Sequence, residues 1–253
     1  QHGEIIYRNS ILTNQYETVN SFIDALYHLI MPAVNKIGSV EMIKGIGTGA
    51  PNGNYYTGAI EYAPNLPWKS IIPFSKLLSD KFKLPSFLTN DANAAAMGEM
   101  IYGTAKDMKD FIIITLGTGV GSGIVCNGKM VYGHDGFAGE LGHTIIIPGG
   151  RLHPGTGAKG SLEMYASARG MCITALELLE NNPAQSTLLR NIAAEKLESK
   201  DIYECAVKGD TMAIEVFEYT GKILGMALAN FIMFSSPEAI ILFGGAAKAG
   251  NLL

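Results

Sequence analysis

The chain has 253 residues, of which 47% are hydrophobic, and a formal net charge of −4 with a pI of about 5.8. This length can bury the core of one large domain or two smaller ones, and the acidic balance argues against nucleic acid as a partner of this segment. Three scattered cysteines, Cys126, Cys172 and Cys205, form no CxxC pair and predict reduced thiols in a cytoplasmic protein. The sequence shows neither a signal peptide nor an apolar run of transmembrane length.

The first half of the chain is predicted to mix strands and helices. Residues 4–12 (EIIYRNSIL) are expected to form a strand. Residues 17–38 are expected to form a helix, because apolar side chains recur there at helical spacing up to a terminating Gly38. The further expected elements are a strand entering a glycine loop in residues 41–53, a helix in residues 71–82, a short strand in residues 85–90 and a helix from Ala92 to about Tyr102.

A second half is expected to begin near Asp107. Residues 111–133 alternate strand, glycine turn, strand and an Asn-Gly hairpin. Residues 141–160 are expected to form a strand and a long glycine loop, helices fill most of residues 161–235, and AIILFGG is a last buried strand. Strands that alternate with helices favour the α/β class, and glycine loops at strand ends are where open α/β sheets bind ligands.

Residues 116–123 (LGTGVGSG) place four glycines between two strands. Glycine permits φ > 0 and lets a backbone approach a phosphate closely, so the N–H groups and the Thr118 hydroxyl could hold phosphate oxygens. A plain hairpin turn explains the same residues equally well. No Gly-Lys-Ser/Thr follows, so the loop is not a Walker A motif, and it opens no helix, which argues against a dinucleotide fingerprint.

Residues 87–99 (FLTNDANAAAMGE) end an apolar run in Asn90 and Asp91, directly before an alanine-rich helix. Taken alone, Asp91 is most simply a helix N-cap. The chemical alternative is a carboxylate that takes a proton from a substrate hydroxyl as it attacks phosphorus. Asn90 beside it can donate and accept hydrogen bonds, which suits a sugar hydroxyl.

Polar residues near the later glycine loops suit a polyol. Glu140 and His143 lie three apart in GELGH, and Glu163 follows in GSLEMYAS. Carboxylates accept hydrogen bonds from vicinal hydroxyls, although each residue singly could be a solvated surface charge. Two further loops follow strands: IGTGAPNG could wall a sugar site, and FGGAAKAG could take the purine or phosphates of a nucleotide, or either could be a plain turn.

In this order the motifs resemble the ROK family (repressors, open reading frames, kinases), and within it the bacterial glucokinase-type sugar kinases. The matching stretches run across nearly the whole chain: GTGAPNG, APNLPW, NDANAAAMGE, LGTGVGSG, NGKMVYGHDGFAGELGH, GSLEMYAS and ILFGGAAKAG. The resemblance implies an α/β, two-lobed actin/hexokinase-like (ribonuclease H-like) fold, with a smaller lobe in residues 1–106, a larger lobe in residues 107–253 and the sugar in the cleft between them.

The resemblance also implies a role for each motif residue. Asp91 is similar to the general base that activates the sugar hydroxyl. The implied sugar ligands are Asn90, Glu140, His143 and Glu163. The implied nucleotide-binding residues are Gly117, Thr118 and Gly119 in the second phosphate loop and Gly244 and Gly245 at the adenosine.

Two departures from the family pattern stand out. The first phosphate motif, an Asp-x-Gly-Gly-Thr hairpin, is absent, and QHGEIIYRN resembles the segment directly C-terminal to that hairpin in the family. We therefore expect a fragment that lacks this hairpin and the C-terminal end and is by itself not a competent kinase.

Many members also carry a zinc loop of the form Cys-x-Cys-Gly-x-x-Gly-Cys-Leu-Glu. Here Pro154, Thr156 and Ser161 replace the thiolates, and His143 with the nearby His153 falls short of four ligands, so no zinc is expected.

The sequence therefore predicts ATP- and Mg²⁺-dependent phosphorylation of a hexose hydroxyl, with glucose to glucose 6-phosphate favoured. One alternative is a sugar-responsive transcriptional repressor, which the same family contains and which would carry an N-terminal helix-turn-helix. Another is a non-catalytic sugar sensor, which the intact Asn90–Asp91 pair weakens. The sequence decides neither the hexose nor the oligomeric state, and a homo-oligomer is compatible with it.

Overall fold

The computed structural model describes residues 3–253, and the chain folds into two compact units. The first unit holds the chain up to Asp107 together with Met130–Ala138, and the second holds Met108–Lys129 and Gly139–Leu253. The expected strand-turn start at Gln1 lies partly outside the described residues. The sequence places residues 130–138 in the C-terminal lobe, whereas the structure packs them within the first unit.

Residues 130–138 contact the rest of the first unit through interactions that the sequence of this segment does not predict. The side chain of the buried Asn54 donates a hydrogen bond to the Asp135 carbonyl at 2.8 Å. The Tyr56 hydroxyl donates to the Gly133 carbonyl at 2.8 Å. The Tyr132 ring stacks on Tyr55 with the ring centroids 4.2 Å apart. Such partners are far away in sequence, so local pattern cannot reveal them.

Among residues 3–253, the first unit contains three α-helices and five strands. The helices are α1 (Val19–Ile37), α2 (Phe74–Phe82) and α3 (Asp91–Tyr102), and the strands are β1 (Ile46–Gly49), β2 (Gly53–Asn54), β3 (Ala59–Glu61), β4 (Ile71–Ile72) and β5 (Ser86–Thr89). β1 and β5 pair in parallel, while β2, β3 and β4 form a small antiparallel sheet. The predicted α1 is confirmed: Thr18 caps its start by accepting from the Ser21 N–H, and Gly38 ends it at φ 137°.

The strand predicted for residues 4–12 is wrong. This segment has no regular secondary structure, and Ile5, Ile6 and Leu12 are exposed. A strand is stable only when a neighbouring strand pairs with its N–H and C=O groups. Within residues 3–253 no strand pairs with this segment, so its apolar composition alone does not make it a strand.

The second unit is built on a four-stranded sheet with helices. The strand order is β8 (Lys129–Met130, where the chain passes from the second unit to the first), β7 (Val120–Cys126), β6 (Phe111–Leu116) and β9 (Ala239–Gly244). β6 pairs antiparallel with β7 and parallel with β9. The predicted Asn-Gly hairpin is present, because Asn127 and Gly128 both have positive φ between β7 and β8. The helices are α4 (Glu163–Ala166), α5 (Ala168–Asn181), α6 (Ser199–Val207) and α7 (Thr211–Ser235).

The core of the second unit explains the apolar run FIIITL. β6 is central in the sheet, so five of its six side chains are buried, and it reads as a continuous apolar run rather than an alternation. α7 packs against this strand through Ile223, Leu224 and Ala227, which share one cluster with Ile112 and Ile114.

The strand predicted in residues 141–160 is wrong. A 3₁₀ turn at Leu141–His143 opens this stretch. Beyond the turn, only the isolated bridges Ile145–Ser161 and Leu152–Lys159 form. The rest of the segment is irregular, as the glycine-rich part of the prediction expected.

Along residues 3–253, none of the helices combines the length and the apolar character that a membrane span requires. The three cysteines are free thiols: Cys126 is exposed, Cys172 is half-buried and Cys205 is buried. This agrees with the prediction of scattered, unpaired thiols.

Candidate active site

The glycines predicted to bind nucleotide meet at one edge of the four-stranded sheet. β6 and β9 run in parallel, and Leu116 at the end of β6 is the register partner of Gly244 at the end of β9. Gly117, Thr118 and Gly119 follow Leu116 directly, and Gly245 follows Gly244. The turn and the second glycine pair therefore lie side by side at the carboxyl ends of parallel strands, where α/β sheets bind ligands.

The local backbone closes the turn after β6 and requires glycine at position 244. The Gly117 N–H donates to the Gly119 carbonyl at 3.0 Å, which closes the turn between β6 and β7. Gly244 has φ 110°, and a Cβ there would lie 2.4 Å from the Leu116 carbonyl oxygen. Gly117 and Thr118 are exposed. An exposed backbone turn without side-chain cover allows the close approach of phosphate oxygens, so this edge could hold a phosphate group.

Glu163 is attached directly to the glycine turn. Its Oε2 accepts a hydrogen bond from the Val120 N–H at 2.8 Å. A Cβ at Gly119 would lie 2.4 Å from the same oxygen, so only glycine lets the carboxylate sit there. The candidate sugar ligand and the candidate phosphate loop are therefore in contact within one unit.

His153 holds the other oxygen of the same carboxylate. Its Nε2 lies 2.8 Å from Glu163 Oε1. Its Nδ1 accepts from the Gly155 and Thr156 N–H groups at 3.1 and 3.0 Å. The sequence suggests for His153 only the role of an insufficient zinc ligand, and no local signal in HPGTG points to Glu163, ten residues further on.

Glu140 and His143 complete this cluster. Glu140 directly precedes the 3₁₀ turn Leu141–His143 and His143 is its last residue, with Glu140 Oε2 and His143 Nε2 3.9 Å apart. The His143 ring packs edge-on against His153, with the ring centroids 5.1 Å apart. Contacts therefore run from Glu140 through His143 and His153 to Glu163 and the glycine turn. The structure brings together the predicted sugar ligands of the second unit, although they span 24 residues of sequence.

Asn90 and Asp91 lie in the first unit, at the start of α3. Asn90 is the N-cap, and its side-chain oxygen accepts from the Asn93 N–H at 2.6 Å. Asp91 is the first helical residue, is exposed, and its Oδ1 accepts from the Ala92 N–H at 2.9 Å. The expectation that Asp91 is the N-cap is corrected, because the adjacent Asn90 performs that function and leaves the second carboxylate oxygen of Asp91 to other partners.

The loop IGTGAPNG lies beside this helix start. Gly49, the last residue of β1, pairs in register with Thr89, the last residue of β5. The Ala50 N–H donates to the Thr89 carbonyl at 3.0 Å. A Cβ at Gly49 would lie 3.3 Å from the Cα of Asp91 and 2.7 Å from the Ala94 side chain. The glycine loop and the Asn90–Asp91 pair thus share the carboxyl edge of the β1–β5 sheet, as expected for a ligand site.

The residues at the zinc positions do not fit that metal. Pro154 offers no donor, and the exposed Thr156 hydroxyl accepts from the Ala158 N–H at 3.3 Å. The Ser161 hydroxyl and His143 Nδ1 are buried without a hydrogen-bond partner within residues 3–253. One imidazole and a neutral hydroxyl are not the thiolate-rich set that structural Zn²⁺ requires. In the described part of the chain, no group of three or more His, Cys, Asp or Glu side chains could hold a metal ion.

Arg151 anchors the loop before α4 by hydrogen bonds to α4 and α5. Its sequence context does not predict this role. Its side chain is 11% exposed and stacks 4.5 Å from the Tyr165 ring centre. The guanidinium donates to the carbonyls of Met164 (2.8 Å) and Gly170 (3.2 Å) and pairs with Glu177. The Arg151 N–H donates to the Tyr165 hydroxyl at 2.9 Å. A single arginine after two glycines gives no sequence signal for such a network.

Comparison with known proteins finds relatives of two kinds, glucokinases and xylose repressors. The chain is 40% identical over 210 residues to a glucokinase of Halalkalibacterium halodurans, which covers 83% of this chain and 63% of that relative. It is 29% identical over 252 residues to a xylose repressor of Caldicellulosiruptor bescii, covering 99% of this chain and 62% of the repressor. The chain thus spans less than two thirds of the length of these relatives.

A solved structure extends the comparison to three dimensions. The ROK family glucokinase from Streptomyces griseus, in complex with glucose and AMPPNP, matches with a TM-score of 0.76 at 32% identity, over 94% of this chain and 75% of that one. The predicted α/β class with an actin/hexokinase-like fold is confirmed by this likeness. The ROK family itself matches over residues 1–253. The chain therefore belongs to the ROK family.

Proposed function

We propose that the protein to which this chain belongs is an ATP-dependent hexose kinase of the cytoplasm, with glucose as the favoured substrate and glucose 6-phosphate as the product. The observation that carries the proposal is the hydrogen bond from the Val120 N–H to Glu163 Oε2 at 2.8 Å. Phosphoryl transfer needs a sugar hydroxyl next to a γ-phosphate. Glu163, the residue proposed to bind the sugar, is hydrogen-bonded to the turn proposed to bind the phosphates. It would therefore hold the sugar next to the nucleotide.

The sugar is held by carboxylates in this proposal. Glu140 and Glu163 accept hydrogen bonds from hydroxyls, and His143 adds an imidazole beside them. Because carboxylates repel anions, the same set disfavours sugars that already carry a phosphate. A site built to bind hydroxyls discriminates against analogues that lack them, since its buried polar groups then stay unpaired.

The nucleotide is held by backbone. Gly117, Thr118 and Gly119 would hold the phosphates, and Gly244 and Gly245 would face the adenosine at the same sheet edge. Mg²⁺ on the phosphates would neutralise the charge that develops during transfer. Asp91 would accept the proton of the attacking hydroxyl, and Asn90 would bind the sugar with the amide group that its capping bond leaves available.

Support also comes from the relatives. The Halalkalibacterium protein is a glucokinase, and the Streptomyces structure contains glucose and AMPPNP. The likeness to a xylose repressor supports a second candidate, a sugar-responsive regulator that binds a sugar without phosphorylating it. An exposed carboxylate at Asp91 favours the kinase, because binding alone does not require a proton acceptor.

The test is a coupled ADP-release assay of the full-length protein over glucose, N-acetylmannosamine, fructose, allose and xylose. The kinase proposal expects sugar-dependent ADP release with a preference for glucose. Sugar binding measured by calorimetry without any ADP release would instead support the regulator.

The sugar ligands can be tested separately. Replacing Glu140 or Glu163 with Ala should weaken glucose binding by about 1.5–3 kcal/mol each, the range for hydrogen bonds to charged groups, with little change for ATP. Calorimetry on the two variants decides: losses within about 0.5 kcal/mol, as for ordinary surface positions, would remove both residues from the sugar site.

A further inference from the structure

Both ring nitrogens of His153 are engaged, and they face different partners. Nδ1 faces two backbone N–H groups, from Gly155 and Thr156, at 3.1 and 3.0 Å. Since both partners are donors, Nδ1 must be the acceptor. In a neutral imidazole the other nitrogen then carries the proton. The short contact of 2.8 Å is therefore Nε2–H donating to Glu163 Oε1.

This bond orients the Glu163 carboxylate. One oxygen is fixed by His153 and the other by the Val120 N–H, so rotation about the last side-chain torsion would break both bonds. The His153 and Glu163 side chains are 12% and 22% exposed, so water competes weakly for either bond. Each carboxylate oxygen still has a second acceptor position for a hydroxyl.

We propose that His153 is a positioning residue for hexose binding: through Nε2 it orients the Glu163 carboxylate toward the sugar. The inference rests on the proposed function, because it assumes that Glu163 binds the sugar. The competing explanation is that His153 only folds its own loop through Nδ1. The two explanations assign the effect to different nitrogens, which makes them separable.

Two substitutions of His153 separate the contribution of Nδ1 from that of Nε2. His153→Asn keeps an oxygen near the Nδ1 position, which can accept from the backbone N–H groups of the following residues, but it cannot reach Glu163. His153→Gln supplies a side-chain N–H near the Nε2 position but removes the acceptor of the loop. His28→Asn, at an exposed position of α1, serves as the control for a histidine-to-amide change.

We expect one variant to change the KM for hexose and the other to change the Tm. His153→Asn should raise the KM for hexose roughly tenfold, in line with the loss of partners that orient a ligand, while the KM for ATP and the Tm stay near wild type. His153→Gln should keep the KM for hexose and lower the Tm. In a Glu163→Gln background, His153→Asn should have no further effect on hexose, since it acts through Glu163.

Each other outcome overturns the inference in a distinct way. An unchanged hexose KM in His153→Asn, alongside a raised one in Glu163→Gln, would overturn the positioning role and leave the proposed function intact. A parallel loss of Tm and hexose affinity in both histidine variants would make His153 purely structural. If the wild-type protein bound no hexose at all in calorimetry, the proposed function and this inference would both fall.

Discussion

At the start of α3, two neighbouring residues have separate functions. Asn90 caps the helix through its side-chain oxygen, and Asp91 uses one oxygen on the adjacent Ala92 N–H. A carboxylate that is exposed and only half engaged at the carboxyl edge of a sheet is suitable as a general base. Helix capping, the structural alternative to catalysis for Asp91, is performed by Asn90 instead.

Asp91→Asn should lower phosphoryl transfer by about 10²–10⁴-fold, the usual contribution of a general base, while hexose binding persists. The amide keeps an oxygen for the Ala92 N–H, so the helix start should survive. Turnover and calorimetry of the full-length variant check this. Turnover near the wild-type rate would show that Asp91 is not the base.

The exposed thiol Cys126 is expected to react slowly. The pKa of Cys126 is raised above its ordinary value, first by the neighbouring Asp110 carboxylate and then by desolvation. Since the thiolate is the nucleophile, Asp110→Asn should speed alkylation by iodoacetamide at pH 8 severalfold. Peptide mass analysis measures the rate at each cysteine, and Cys205, whose pKa is raised mainly by burial, should be unaffected.

At the scale of elements, α7 and the loop before α4 each depend on one polar side chain. Asp210 caps α7 by accepting from the Ala213 N–H at 2.9 Å, and it also accepts from the Leu188 N–H at 2.6 Å. Arg151 links the loop to α4 and α5. In both cases a charged group satisfies several backbone groups that would otherwise lack partners.

Asp210→Ala should destabilise the protein by about 1–2 kcal/mol at pH 7, the usual effect of losing an N-cap. Burial raises the pKa of Asp210, but its hydrogen bonds to Ala213, Leu188 and Thr187 together outweigh burial and lower the pKa below 3.8. The charge therefore stabilises the fold above about pH 3.8 and loses this effect as the pH falls through the lowered pKa.

Asp210→Asn, which keeps one acceptor, tests that pH dependence. The free energy of unfolding of this variant should be lower than that of the wild type at pH 7. The difference between the two free energies should become smaller as the pH is lowered through the pKa of Asp210. Urea unfolding at neutral and acidic pH measures it. Asp80→Asn, at an exposed ion pair with Lys76, is the control and should leave stability nearly unchanged at either pH. A constant gap at both pH values would contradict the role of the charge.

Arg151→Lys should lower stability by about 2–3 kcal/mol, as for lost hydrogen bonds to a charged group. One ammonium cannot reach Met164, Gly170 and Glu177 together, and it lacks the planar face that stacks on Tyr165. Thermal or urea unfolding measures the loss. Arg169→Lys, at an exposed position of α5, is the matched control, and an equal effect of both changes would refute the special role of Arg151.

At the scale of the molecule, each unit has its own apolar core. Phe22, Trp68 and Leu78 belong to the cluster of the first unit. The second unit has two clusters, one around β6 and one in which α6 packs on α7 through Ile202 and Phe217. These cores and the polar network of Arg151 stabilise the fold by packing and hydrogen bonding, with no described group of side chains that requires a metal ion.

We therefore expect the full-length protein to contain no stoichiometric zinc. Elemental analysis of protein purified without chelators should find far less than one zinc per chain, and EDTA should leave the Tm unchanged. The physical reason is that Pro154, Thr156 and Ser161 replace thiolates. One tightly bound zinc per chain would refute this prediction and would point to ligands other than those three residues.

Elements whose signals are local could be predicted from the sequence alone. The helical spacing that ends at Gly38, the apolar run of β6 and the Asn-Gly turn each depend on neighbours a few residues away. The motifs also sufficed to identify the family and to nominate the site residues. The strand expected in residues 4–12 failed because strand formation depends on a partner, which local composition cannot supply.

Which distant groups come into contact depends on the packing of the folded chain. The parallel register of β6 and β9 sets Gly244 beside Leu116, 128 residues apart in the chain. The same holds for the bond from His153 to Glu163 and for the network of Arg151, whose residues carry no pattern of their own. These contacts arise when buried polar groups must find partners at a distance in sequence, and that choice is made by the packed fold rather than by any local stretch.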